Sequence, residues 1–103
     1  MIHVIASIQV KDGRLPEVLK IYETFAPEVH KEKGCRLYLP TLDYQTDIQT
    51  QQRESNCVTV IEKWESLAAF QDHLNAPHVV AFREEIKGIV ENVSVKILKP
   101  AIA

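Results

Sequence analysis

The sequence predicts an α+β fold of order β-α-β-β-α-β, with the helices on one face of a four-stranded antiparallel sheet. Three observations carry that expectation. Four short runs have strand character, the first alternating in period two. Two longer segments place apolar residues at three- and four-residue steps, which puts one stripe of each helix on a core. Between them fall the turn residues Lys11-Asp12-Gly13, Gly34 and Asn75-Ala76-Pro77.

Residues 2–10 set Ile2, Val4, Ala6, Ile8 and Val10 on one side and His3, Ile5, Ser7 and Gln9 on the other, giving a strand with one strongly apolar face. Pro16 suits the first turn of a helix. Val18, Leu19, Tyr22, Phe25, Ala26 and Val29 supply its buried stripe, Pro27 is expected to kink or break it, and Gly34 to cap it. Residues 35–42 read as a second strand, stopped near Pro40. Residues 43–56 are polar and aperiodic, a hairpin tip or a lid over a pocket. Residues 57–65 form the third strand, and Ser66 is positioned to cap a helix through Leu67, Phe70 and Leu74. Asn75, as cap, and Pro77, in a first turn, restart it through Val79, Val80, Phe82, Ile86 and Ile89. Residues 92–99 are the last strand, ended by Pro100. This is the split βαβ order of ferredoxin-like folds.

A chain of 103 residues has room for one hydrophobic core, so a single domain over 1–103 is expected. Hydrophobic residues at 46% and charged residues at 25% exclude a disordered chain. A net charge of −2, with no basic stripe, argues against nucleic acid as a partner. No apolar run approaches the roughly 18 residues of a membrane span, and no basic-then-apolar leader opens the chain, so a cytoplasmic location is expected. Cys35 and Cys57 have no metal-ligand spacing and read as free, buried small hydrophobes.

Strand parity also exposes a second face. If Ala6, Val60 and Val95 point to the helices, then His3, Ile5, Ser7, Thr59, Ile61 and Leu98 point outward. That surface is too apolar to be left wet, and a second copy packed sheet to sheet about a two-fold axis is the simplest cover, which predicts a homodimer through the open sheet face.

The third strand holds the anomaly. Its helix-facing parity reads Val58, Val60, Glu62, Trp64, so Glu62 points where valines point. A carboxylate there is costly unless paired, hydrogen-bonded or protonated. Either this end of the strand reaches solvent or a helix end, or Glu62 sits in a pocket with a pKa raised by desolvation. Trp64, the only tryptophan, is core or pocket wall. His73 and His78 are five residues apart, a spacing that an unbroken helix would not stack, but the break at Pro77 lifts that objection. Metal ligation by Glu62, His73 and His78 is conceivable, yet the tight two-His helical motif is missing and no metal is expected.

These residues resemble a known family. Ile61-Glu62-Lys63-Trp64-Glu65-Ser66-Leu67-Ala68-Ala69-Phe70-Gln71-Asp72-His73, followed by Pro77-His78-Val79-Val80-Ala81-Phe82, is similar to the signature of the antibiotic biosynthesis monooxygenase (ABM) domain. Gly34-Cys35-Arg36-Leu37-Tyr38 resembles the family's second strand, and Lys11-Asp12-Gly13 its turn after strand one. The resemblance implies a dimeric α+β barrel, ferredoxin-like in each subunit, with a pocket between sheet and helices. It also implies a cofactor-independent monooxygenase that oxidises a quinol or electron-rich phenol with O2. His73, His78 or Glu62 would be the base, and Trp64, Tyr38 and Phe82 would contact a small aromatic substrate. For Tyr38, a parity shared with Cys35, Leu37 and Leu39 would instead set it on the dimer face.

Related activities fit less well. The haem-degrading branch needs an Asn on strand one, where this chain has Ala6, and a helical His from which His73 is out of register. A sugar-phosphate isomerase would need a cationic phosphate pocket, and no Arg or Lys cluster supplies one. No Gly-rich dinucleotide fingerprint points to a bound flavin or nicotinamide. A dimeric module that binds a phenol or quinone without turnover, or serves a stress response, is the alternative of a different class.

Overall fold

The computed structural model describes residues 1–103, and its elements are β1 (Ile2–Val10), α1 (Leu15–His30), β2 (Cys35–Thr41), β3 (Cys57–Trp64), α2 (Leu67–Asn75), α3 (Pro77–Ile86) and β4 (Val90–Leu98). The four strands form one antiparallel sheet in the order β2-β3-β1-β4. The second helical segment is split in two, so the order is β-α-β-β-α-β with three helices. No helix is long and apolar enough to cross a membrane.

Period two decides what each strand buries. Val4, Ala6, Ile8 and Val10 of β1 are buried under the helices, in register with Val58, Val60 and Glu62 of β3. They join Val18, Tyr22, Phe25 and Val29 of α1 in one cluster of 17 buried hydrophobic residues. Burying a Val or Phe side chain contributes about 1.5–3 kcal/mol, so this cluster is the main stabilising element.

Several boundaries differ from the sequence expectation, each for a local reason. β2 continues through Pro40, because it is an edge strand and a missing N–H on an open edge costs no ladder bond. Tyr38 does not share the parity of Leu37 and Leu39: it is buried on the helix side, opposite Glu62, while Leu39 stands opposite Ile61 on the outer face. α1 runs past Pro27 to His30, and packing of Phe25 and Val29 holds the last turn in place. Ser66 caps α2 as expected, accepting a hydrogen bond from Ala69 N at 3.1 Å. Asn75 does not cap α3; its amide donates to Gln71 O, and Ala76 is the capping residue, without a side-chain bond.

The 43–56 loop carries neither helix nor strand. It is tied by Asp43, whose carboxylate accepts from Glu54 N at 2.8 Å, and it borders a polar pocket on the outer face with Ile5, Ser7 and Lys96. It contributes no residue to the cavity under the helices, so it is not a lid over that cavity. The outer face places His3, Ile5, Ser7, Thr59 and Ile61 half-buried, with Leu39 and Leu98 exposed. Edge strand β4 is uncovered even on the helix side. Val95 lies opposite Ala6, yet Val93, Val95 and Ile97 are 51%, 47% and 52% exposed, because no helix reaches across them.

Gly34 is fixed by two separate constraints. Its φ is +86°, and a Cβ there would lie 2.6 Å from Ala69 Cβ, where α2 packs on the turn. Gly13 shares the constraint on φ, at +77°, but a Cβ on it meets nothing. Gly13→Ala is therefore expected to lose about 1–2 kcal/mol from backbone strain alone. Gly34→Ala loses more, since the clash adds about 1–3 kcal/mol of overpacking. Urea midpoints of the two variants check the difference, and equal losses would contradict the close approach.

Candidate active site

A cavity of about 220 Å³ lies between the sheet and the helices, and 13 of its 16 lining residues are hydrophobic. Tyr22 and Phe25 of α1, Tyr38 of β2 and Phe82 of α3 supply its aromatic wall, and Phe25 and Phe82 stack with ring centroids 3.8 Å apart. It opens beside the exposed Val93 and Val95 of β4. Its volume falls below the about 300–1,000 Å³ usual for ligand pockets, so it suits a compact molecule. A larger depression of about 440 Å³ beside α1 is open and polar, lined by Glu17, Lys20, Glu23 and Glu85 among others, and brings no acid–base pair together.

Besides Tyr22 and Tyr38, a carboxyl and an imidazole with shifted pKa values line the apolar cavity. The first is Glu62, which period-two alternation of β3 delivers between Val60 and Trp64. It is 4% exposed, and its carboxyl accepts one hydrogen bond, from Trp64 Nε1 at 3.0 Å. Burial pushes its pKa up to about 7; the Trp64 bond pulls the other way, and the Glu32 charge adds to the rise. The second is His73 of α2, 5% exposed. Burial pulls its pKa below the ordinary imidazole value, although hydrogen bonding to Glu32 opposes that, and His78 and Arg83 add to the lowering.

The imidazoles are joined by a residue that sequence reasoning did not single out. Glu32, in the turn between α1 and β2, accepts from His73 Nδ1 at 2.9 Å and from His78 Nε2 at 2.8 Å through the same oxygen, Oε2. A carboxylate only accepts, so the proton of neutral His73 sits on Nδ1. Nε2 is then left as the lone-pair nitrogen, and it has no partner within the chain. Nothing in the sequence marked Glu32, which stands in the charged run Glu28–Lys33, 41 and 46 residues from its partners.

The remaining expected site residues are placed as follows. Tyr38 and Phe82 line the cavity. Trp64 is fully buried and does not border it; its indole packs on the His73 ring at 4.7 Å and holds Glu62. His78 does not border it either, and its side chain is 34% exposed. Tyr22 and Arg83 line the cavity without having been expected there. Burial raises both Tyr22 and Tyr38 far above the ordinary phenol value, so their hydroxyls stay neutral. Both cysteines are free, and burial raises their thiol pKa values, which suits the structural role expected of them.

Because Glu62 has a pKa raised from 4.5 to about 7, it favours the fold fully only below the unfolded value; that contribution is lost as pH rises through about 7. Glu62→Gln, which keeps an acceptor for Trp64, is expected to match the wild type near pH 5. By pH 8.5 the variant should exceed it by about 1–3 kcal/mol. Urea unfolding at the two pH values checks this, and a pH-independent difference would contradict the buried carboxyl.

Comparison with known proteins bears on the family and the fold. The family model for antibiotic biosynthesis monooxygenase matches residues 1–85. The chain is 36% identical over 104 residues to the probable quinol monooxygenase YgiN of Escherichia coli K12, covering 99% of this chain and 100% of that one. Among solved structures, an antibiotic biosynthesis monooxygenase superposes with a TM-score of 0.83 at 21% identity, covering 99% of this chain and 100% of the other. The Mycobacterium tuberculosis protein Rv0793 superposes with a TM-score of 0.81 at 18% identity, covering 99% and 96%. At such identities the superpositions establish the fold alone, whereas the matches of sequence establish descent: the chain belongs to the antibiotic biosynthesis monooxygenase family.

Proposed function

We propose that the protein is a monooxygenase that oxidises a quinol or electron-rich phenol with O2, without metal or bound organic cofactor. The observation that carries this reading is the pair formed by Glu62 and His73 in an otherwise apolar cavity, one pKa raised and the other lowered. Environments that hold a carboxyl protonated and an imidazole neutral assign an acid and a base. The name of the Escherichia coli relative supports the substrate class.

His73 Nε2 takes the phenolic proton, and the resulting phenolate is itself the electron donor to O2. A new carbon–oxygen bond then forms, and Glu62 returns a proton to the peroxide. Loss of water leaves a hydroxylated quinone. A quinol supplies all four electrons that O2 accepts, so one oxygen atom enters the ring and the other leaves as water, with no external reductant. Aromatic walls exclude water from the anion. Trp64 acts here as a positioning residue for Glu62 and His73, not as a wall of the cavity.

O2 uptake with a panel of naphthohydroquinones and benzohydroquinones tests the reading. Uptake should persist with chelator and fall by about 10²-fold or more in both His73→Ala and Glu62→Gln, the range of lost acid–base catalysis. Its pH profile should be bell-shaped, with the alkaline limb near the value of about 7 for Glu62 and the acid limb below the ordinary imidazole value. Tight quinol binding without uptake would overturn it in favour of a binding module.

The uncovered apolar surfaces support a homodimer formed through the outer face of the sheet. Light scattering should give twice the chain mass, and Ile61→Glu should reduce it to one; a wild-type monomer would contradict the proposal.

A further inference from the structure

The reading above leaves a problem of proton accounting. Each turnover ends with one proton too many on His73 and one too few on Glu62, and both groups are buried. Before the next cycle the His73 proton must reach water, and Glu62 must regain one from water that enters the vacated cavity past Val93 and Val95. We propose that Glu32 and His78 form the outlet for the His73 proton, a relay that links the cavity to solvent. The inference rests on the oxygenase reading for its purpose, but on geometry for its existence.

The geometry is continuous. His73 lines the cavity with a side chain only 6% exposed, Glu32 is 13% exposed, and His78 is 34% exposed, so accessibility rises along the chain of groups. Each link is a direct hydrogen bond of 2.9 Å or less to Glu32 Oε2. A proton arriving at His73 Nε2 lets the Nδ1 proton pass to Glu32. In the resting contact His78 Nε2 carries its own proton, so the partly exposed His78 first shifts that proton to Nδ1 by exchange with water; Glu32 then hands a proton to the freed Nε2, and His78 releases one from Nδ1 to water. Every group gains one proton and loses one; His73 is left protonated on Nε2, and its proton must return to Nδ1 before Nε2 can act again.

The three groups come from three elements: the turn after α1, α2 and the first turn of α3. The break at Pro77 allows the last contact, since it turns α3 so that His78 meets the oxygen already held by His73. The other titratable or charged groups near the relay are Glu62 and Tyr38 on the cavity side, Arg83 from α3, and Cys35 beside Glu32. None of them offers a bonded route outward. Glu62 bonds Trp64 alone, and Arg83 donates to Leu74 O.

Two measurements test the relay. In the first, His78→Ala is assayed by O2 uptake with a naphthohydroquinone in weak buffer. Its kcat should fall about ten-fold with little change in KM, and imidazole added to the buffer should restore it in proportion to concentration, as small proton carriers replace a lost exit group. A kcat equal to wild type, or a loss that imidazole does not restore, would overturn the relay. In the second, nitrogen-15 NMR follows His73 in the substrate-free protein. Glu32→Gln should lower its titration midpoint further, because Glu32 is the group that opposes the lowering, and His78→Ala should shift that midpoint too. An unmoved midpoint in both variants would overturn the coupling. If wild-type protein shows no uptake with any quinol, the oxygenase reading fails while the titration still decides the relay.

Discussion

A carboxyl group cannot leave the helix-facing side of β3 without taking the whole strand with it. Glu62 sits between Val60 and Trp64 in a strand of period two, and a one-residue slip that freed it would turn Val58, Val60 and Trp64 outward as well. The core therefore holds the acid in place, and the acid bears the cost of desolvation. With one donor, Trp64 Nε1, and an apolar cavity beside it, the group meets that cost by keeping its proton to about neutral pH. The rest of the site follows from this enforced burial. His73 shares the same dry space, and the same desolvation acts on it with opposite sign because its charged form is the protonated one.

One environment thus favours a protonated carboxyl and a neutral imidazole, and Glu32 orients that imidazole. By accepting the Nδ1 proton it directs the lone pair of His73 to Nε2, much as a buried carboxylate orients the histidine of a hydrolytic triad. Gly34 matters to this arrangement at one remove. It lets α2 pack directly on the turn that carries Glu32, which brings His73 within bonding distance of a residue 41 positions earlier.

Much of this was legible in the sequence, and the physical reason is periodicity. Alternation along residues 2–10 and 57–64 gave the sheet its buried face and marked Glu62 as misplaced, and the three- and four-residue steps located the helices with Ser66 and Pro77 at their starts. Other features depended on relations that periodicity does not carry. Pro40 reads locally as a stop because the edge position of β2 follows from strand order, not from local pattern. Glu32 is invisible to periodicity because its role arises from two contacts across the fold, and Trp64 reads as core or pocket wall because the buried contacts with Glu62 and His73 that make it core are not encoded in spacing. The 43–56 loop reads as a hairpin tip or a lid, and its residues border the outer face of the sheet, not the cavity.

The central claim is that Glu62 keeps its proton close to neutrality inside the folded protein. Carbon-13 NMR of the labelled carboxyl, titrated from pH 4 to 9, reads that directly. A midpoint near 7 agrees with burial in a dry cavity beside a single indole donor, whereas a midpoint in the ordinary carboxylate range near 4.5 would place the group in water and remove the acid from the mechanism.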